Sequence, residues 1–499
     1  MMLCKIYGLV KDTMVFSSLI FLYAFFSVSL LACVFCKKKK TQNAVLLFFS
    51  LIFYTWGEPK YVLLLMFMCF NAWICALGVE AAQKQFWKKF WVFLSSLIDI
   101  VLIGWFKYAG LVFSIFGEVP DYIRNIALPI GISFYTFQLL TYVVDVYRGE
   151  APAQKKYRNV LLYAALFHQC IAGPIVRYKT VATELFGKKR RHPQVAVGVS
   201  RFAAGLAKKV LLANPCGALA DSLILSESAM ADLTKLAANL QALEGLTVLE
   251  GWLGICAYAL HIYLDFSAYS DMAIGMGKML GLNYLENFNY PYISRSVTEF
   301  WRRWHMSLGT FFRDYVYIPL GGSRCSVPRM VFNTLTVWFL TGLWHGASWN
   351  FVLWGLWFFA FLMIERAFLK KLLDKIPVLS NLYLLFVVVL GWVIFRFTNL
   401  DLGMALGRTL FGANGNALSD FLAVNTLKSN LVLLAVSLVV STPLARILKE
   451  KLQTYAWEHK ALAPVWNAVF YSLIPLVLLL LSTAGLVGDS YNPFIYFQF

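Results

Sequence analysis

Long apolar runs separated by short basic, Gly/Pro-containing or polar stretches dominate the chain. Such runs begin near Met14, Asn43, Tyr61, Trp91, Ile126, Gln194, Leu246, Val331, Ala347, Asn381, Asn430 and Pro464. About 20 apolar residues cross the hydrocarbon of a bilayer, so the pattern predicts an all-α, polytopic membrane protein with about 11–13 transmembrane helices. The first run, residues 14–36, is too long for a signal-peptide core. It also precedes its basic cluster at residues 37–40 instead of following it, as expected of an uncleaved span.

Two stretches break the crossing pattern. Residues 159–176 have basic residues on both sides and contain Gly173-Pro174, which predicts a re-entrant segment. Residues 281–329 mix arginines with aromatics. As one helix, Trp301, Trp304, Leu308, Phe312 and Tyr315 share a face opposite Arg302, Gly309 and Arg313, which predicts an amphipathic interfacial element.

Composition agrees with a bilayer as solvent, since 60% of residues are hydrophobic and 14% charged. A soluble surface of this size needs more charge than that. Lys and Arg exceed Asp and Glu by 44 to 26, a formal +18. Basic loops facing anionic headgroups account for the excess, and no nucleic-acid partner is expected. Lys84, Lys88, Lys89, Arg148, Lys155, Lys156, Arg158, Arg366, Lys370 and Lys371 fall in alternate loops, while Glu118, Asp121, Asp221, Glu227, Asp232 and Glu244 fall in the others. That alternation predicts both termini on the outer, extracytoplasmic side of a plasma membrane. Cys33 and Cys36 lack a second ligand pair, so no metal site is expected.

Ionisable groups inside apolar segments are costly and mark candidate sites. His168, His261, His305 and His345 lie in apolar company, whereas His192 and His459 lie in charged loops. Burial favours the neutral imidazole that a general base requires. His345, between Trp344 and Gly346, is the sharpest candidate, because a glycine permits close approach of a ligand or of another chain segment. Asp265 lies four residues after His261, which fits either a structural pair or catalysis. Asp265, Tyr269, Ser270 and Asp271 could line an aqueous cavity or hold helices together. Walker A, His-Glu-x-x-His and Gly-x-Ser-x-Gly motifs are absent.

The stretch Thr298-Glu-Phe-Trp-Arg-Arg-Trp-His305-Met-Ser-Leu, continuing as Phe312-Arg-Asp-Tyr-Val-Tyr-Ile-Pro-Leu-Gly-Gly322, resembles the signature of the membrane-bound O-acyltransferase (MBOAT) family. It is most similar to the bacterial branch that contains the alginate O-acetylation protein. Leu343-Trp-His345-Gly-Ala stands where that family has its second histidine. The stretches starting at Pro129, Ala172, Gly205 and Tyr263 extend the resemblance. Two departures stand out: Phe358 replaces a histidine found in many relatives, and the stretch after Gly322 is less basic than usual.

The resemblance implies residues 1–13 as an N-terminal extension and residues 14–499 as a single MBOAT domain, with helices around a central tunnel and a core at about 126–365. It implies His345 as catalytic base, assisted by His305, in acyl transfer from a cytoplasmic thioester, acetyl-CoA or another acyl thioester, with no permanently bound cofactor. Arg302, Arg303 and Arg313 suit the donor's phosphates or lipid headgroups. Trp304, Asp314, Trp344, Asp265, Tyr269, Asp271, Gln138 and His168 are tunnel candidates. The implied partners are the bilayer, an extracytoplasmic SGNH hydrolase-like acetyltransferase and, through it, a cell-surface polysaccharide. D-alanyl transfer to teichoic acid, a transporter or channel, and a structural scaffold are the alternatives.

Overall fold

The computed structural model describes residues 14–124, 126–170, 173–187, 192–488 and 491, so the extension at residues 1–13 lies outside the described residues. The chain is 78% helical, with no strand among the described residues. It divides into two compact units, residues 1–205 with 269–286, and residues 206–268 with 287–499.

Among the described residues, five helices are long and apolar enough to span a membrane: Val62–Ala81, Gln85–Phe116, Trp349–Leu373, Pro377–Arg396 and Ala463–Gly488. Two bent pairs, Leu236–Glu244 with Val248–Met279 and Phe421–Ser429 with Leu431–Val440, raise the number to seven. The sequence holds more apolar runs than that because several fold as interrupted or shorter helices. The first run, for example, divides into a π-turn at Ile20–Phe26 and a helix at Ser27–Phe35. Hydropathy registers side-chain polarity, whereas breaks in a helix depend on what surrounds the backbone.

In the first unit, α1 (Lys39–Gly57) precedes α2 (Val62–Ala81), α3 (Gln85–Ile103) and α4 (Ile132–Tyr147). The last three pack pairwise. Helix α3 buries only Ser95 and Asp99 and turns its phenylalanines outward, the reverse of a soluble helix. Such an arrangement is expected where lipid is the solvent and the few polar groups must find protein. Within residues 159–176, Tyr157–Ala165 and Phe167–Cys170 form helices too short to cross a bilayer, and residues 160–170 are buried.

The second unit contains the first part of the 32-residue α5 (Val248–Met279), then α6 (Val297–Arg303), α7 (Met306–Phe312), α8 (Val327–His345), α9 (Trp349–Ile364) and α10 (Pro377–Arg396). Helices α8 and α9 pack closely together, and α6 packs against α9 and α10. The start of α6 is written locally: Ser296 Oγ accepts the Glu299 N–H at 3.0 Å, and the Glu299 carboxylate accepts the Arg295 N–H at 2.9 Å. The single amphipathic helix expected across residues 301–315 is not formed. It breaks at Trp304-His305, where the backbone turns left-handed, so the shared faces of its two halves no longer align.

Candidate active site

His305 occupies the break between α6 and α7 with φ of 43°, a conformation that a β-carbon makes costly. Hydrogen bonds hold it there. The Asn287 carbonyl accepts the Met306 N–H at 2.9 Å, and Asn287 Oδ1 accepts from the Ser307 N–H at 3.1 Å and its hydroxyl at 2.8 Å. His305 Nδ1 accepts the Leu308 N–H at 3.4 Å, capping α7. With Nδ1 accepting, the proton of the neutral ring resides on Nε2. That Nε2 is buried and makes no hydrogen bond among the described residues.

His305 lies outside the candidate spans, and burial pushes its imidazole down to about 3. The ring is therefore neutral at physiological pH. Between pH 6.5 and 3 the unfolded chain binds a proton at this position that the folded one does not, so stability rises with pH across that window. His305→Asn, which tolerates the left-handed backbone, is expected to lose less stability than the parent on acidification from pH 6.5 to 4. Thermal unfolding at the two pH values measures the difference.

His345 ends α8 and is 3% exposed. Its ring meets Trp344 and Trp354 edge-on at 4.8 Å each and Phe395 at 5.2 Å. The other side of the site comes through the same indole, since the His305 ring lies 5.7 Å from Trp344. Two residues 40 positions apart thus pack against one tryptophan, brought there by the α6–α7 break and the end of α8.

The close approach allowed by Gly346 is used by the chain itself. A β-carbon there would sit 2.3 Å from the Phe351 ring, at the start of α9. Gly346→Ala is expected to displace Phe351 and disturb His345 next to it, costing about 1–3 kcal/mol of stability as overpacking. A thermal melt in detergent checks this.

The remaining sequence candidates fall into four groups. Trp304, 2% exposed, packs against Phe288, Phe300, Tyr263 and Trp392 and joins the aromatic cluster around the histidines through Trp354, which stacks on Trp392. Arg302 is exposed, Arg303 binds Glu299 and the Asn289 carbonyl, and Arg313 pairs with its neighbour Asp314 at 2.7 Å. Asp265 binds Lys209 at 2.8 Å, both side chains fully buried, while His261 Nδ1 bonds the Ala213 carbonyl at 2.7 Å. In the first unit, His168 Nδ1 meets the Tyr284 hydroxyl at 2.7 Å and the Tyr269 hydroxyl meets Ser17 at 3.2 Å. Asp271 takes Arg201 at 2.7 Å, and the Gln138 side-chain amide is buried with no hydrogen bond among the described residues. No group of three or more His, Cys, Asp and Glu residues that could hold a metal occurs among the described residues.

Sequence reasoning missed Glu365. This buried carboxylate, on a π-turn that continues α9, accepts the Thr298 N–H at 3.0 Å, its hydroxyl at 2.8 Å and the Val297 N–H at 2.5 Å. It caps the positive end of α6, the helix that leads into His305. The one available signal was an acid at the end of an apolar run, which reads equally well as a loop residue.

The sequence model of the membrane-bound O-acyltransferase family matches residues 46–406, a stretch that holds every residue of this cluster. The chain belongs to the MBOAT family. It is similar to the probable alginate O-acetylase AlgI of Azotobacter vinelandii, 35% identical over 97% of this chain and all of the relative. It is 28% identical to the peptidoglycan O-acetyltransferase of Helicobacter pylori over 84% of this chain and 85% of that one. The teichoic acid D-alanyltransferase of Bacillus subtilis is 26% identical over 50% of this chain and 61% of its own. This MBOAT protein is a multi-pass bacterial membrane O-acyltransferase that uses an acyl donor.

Proposed function

We propose that this MBOAT protein moves an acetyl group from cytoplasmic acetyl-CoA across the membrane for O-acetylation of a cell-surface polysaccharide, with His345 as general base and His305 assisting. The observation that carries this reading is the pair of buried imidazoles that both pack edge-on against Trp344. His345 takes the proton from an acceptor hydroxyl while that oxygen attacks the thioester carbonyl. The carbon–sulfur bond then breaks, and the proton passes from the imidazolium to the departing thiolate. His305 has a different part. Its Nδ1 is committed to the backbone, so Nε2–H is the atom it can offer, as a donor to the carbonyl oxygen as negative charge develops.

Arg302, exposed and without an acidic partner beside it in the sequence, suits the donor's phosphates on the cytoplasmic side. The acetyl group then passes to an SGNH hydrolase-like partner outside, and both chain termini lie on that side.

Isotope-labelled acetyl-CoA supplied to inverted vesicles tests the reading. Label on a lumenal acceptor that depends on His345 is the expected result. Label that appears equally with His345→Ala overturns the assignment, and ion or solute flux surviving that substitution favours a transporter. Transfer that requires a D-alanyl carrier protein favours the teichoic acid reaction, a reading weakened by the half-chain extent of that similarity.

A further inference from the structure

Far along the sequence from the histidine pair, the first unit contains a cation-lined cavity that the acyl-transfer reading does not use. Its origin is a π-turn, Gly104–Tyr108, in the C-terminal part of the span Gln85–Phe116. A π-turn inserts one residue into the helical repeat and changes the direction in which the next side chains point. Here it turns Lys107 inward, 8% exposed, with its ammonium 3.4 Å from the Ser133 hydroxyl.

Lys107 lines a cavity of about 330 Å³ together with Trp105, Gly110, Ile123 and Arg124. A second cavity of about 480 Å³ shares Phe106 and Ile126 with the first and reaches the turn carrying Glu58 and Lys60. Each is in the ~300–1,000 Å³ range of small-ligand sites.

Two basic side chains on one cavity suit an anion. Arg124 reaches the Val119 carbonyl at 3.4 Å and lies 3.9 Å from Asp121, which is 91% exposed and therefore acts through solvent. Lys107 lies inside the protein, where an anion beside it favours its protonated form and the attraction between the two is stronger than in solvent. The walls select an apolar tail: Trp105 is 49% exposed, and Val112, Ile115 and Phe116 of the same span are open to the hydrocarbon. An indole beside a cationic recess at the end of a span is the arrangement that suits an interfacial amphiphile.

We propose that this cavity binds the phosphate headgroup of an anionic phospholipid, with Lys107 at its base, Arg124 at its rim and the acyl chains along Trp105. Native mass spectrometry of the full-length protein, titrated with phosphatidylglycerol, phosphatidylcholine or inorganic phosphate, tests it. Phosphatidylglycerol is expected to bind at least tenfold more tightly than phosphatidylcholine, and excess inorganic phosphate is expected not to displace it.

Arg124→Gln should weaken phosphatidylglycerol binding about fivefold, the share of one cation near a membrane surface. Lys107→Met should weaken it further, and Lys375→Gln, at an exposed position in the other unit, should leave it unchanged. Because Arg124 is exposed, its substitution tests the site even where Lys107→Met fails to fold. Equal binding of the two lipids, or full retention of phosphatidylglycerol by Arg124→Gln, overturns the site. Displacement by inorganic phosphate overturns the lipid as its occupant.

Discussion

Replacing His345 with alanine is expected to lower O-acetyl transfer by about 10²- to 10⁴-fold, the share that a positioned general base contributes. The truncation also empties space among Trp344, Trp354 and Phe395, so a loss of activity could arise from packing alone. His345→Gln separates the two effects. Glutamine fills much of the ring's volume and keeps a polar head but cannot accept and return a proton at neutral pH. Equal loss in both variants, with unchanged expression and melting temperature in His345→Gln, assigns the effect to chemistry. Activity retained in His345→Gln would remove the base from the mechanism.

The largest effect on stability is expected from the Lys209–Asp265 pair. Both side chains are fully buried and 2.8 Å apart, in a region where an uncompensated charge is very costly. Lys209→Met alone strands the carboxylate and is expected to cost about 3–5 kcal/mol. Lys209→Met combined with Asp265→Leu removes both charges and should recover most of that loss. Melting temperatures of the two variants in one detergent measure the recovery. A double variant as unstable as the single one would show that the pair does more than satisfy itself.

That pair also shows how far sequence reading reaches. Asp265 was conspicuous as an acid in an apolar helix, and spacing suggested His261, one turn earlier, as its companion. The structure provides Lys209, 56 positions away, from a π-turn at Lys208–Ala213. Helical periodicity ranks neighbours on the same helix and carries no information about the facing one. Gly346 teaches the same lesson. Its lack of a side chain marked a close approach, but the approaching group, Phe351, belongs to the next helix.

The helical membrane character and the burial of His305 and His345 were legible because each depends on transfer energies, which act along the chain one segment at a time. The motif around His305 and the Leu-Trp-His-Gly-Ala stretch carried the family, and the match over residues 46–406 bears that out. The number of unbroken spans, the left-handed turn at His305, the cap from Glu365 and the meeting of both imidazoles on Trp344 were not legible. Those features require groups distant in sequence to satisfy one another's backbone polarity and volume in three dimensions. Only packing selects which of the many chemically acceptable partners is the one that fits.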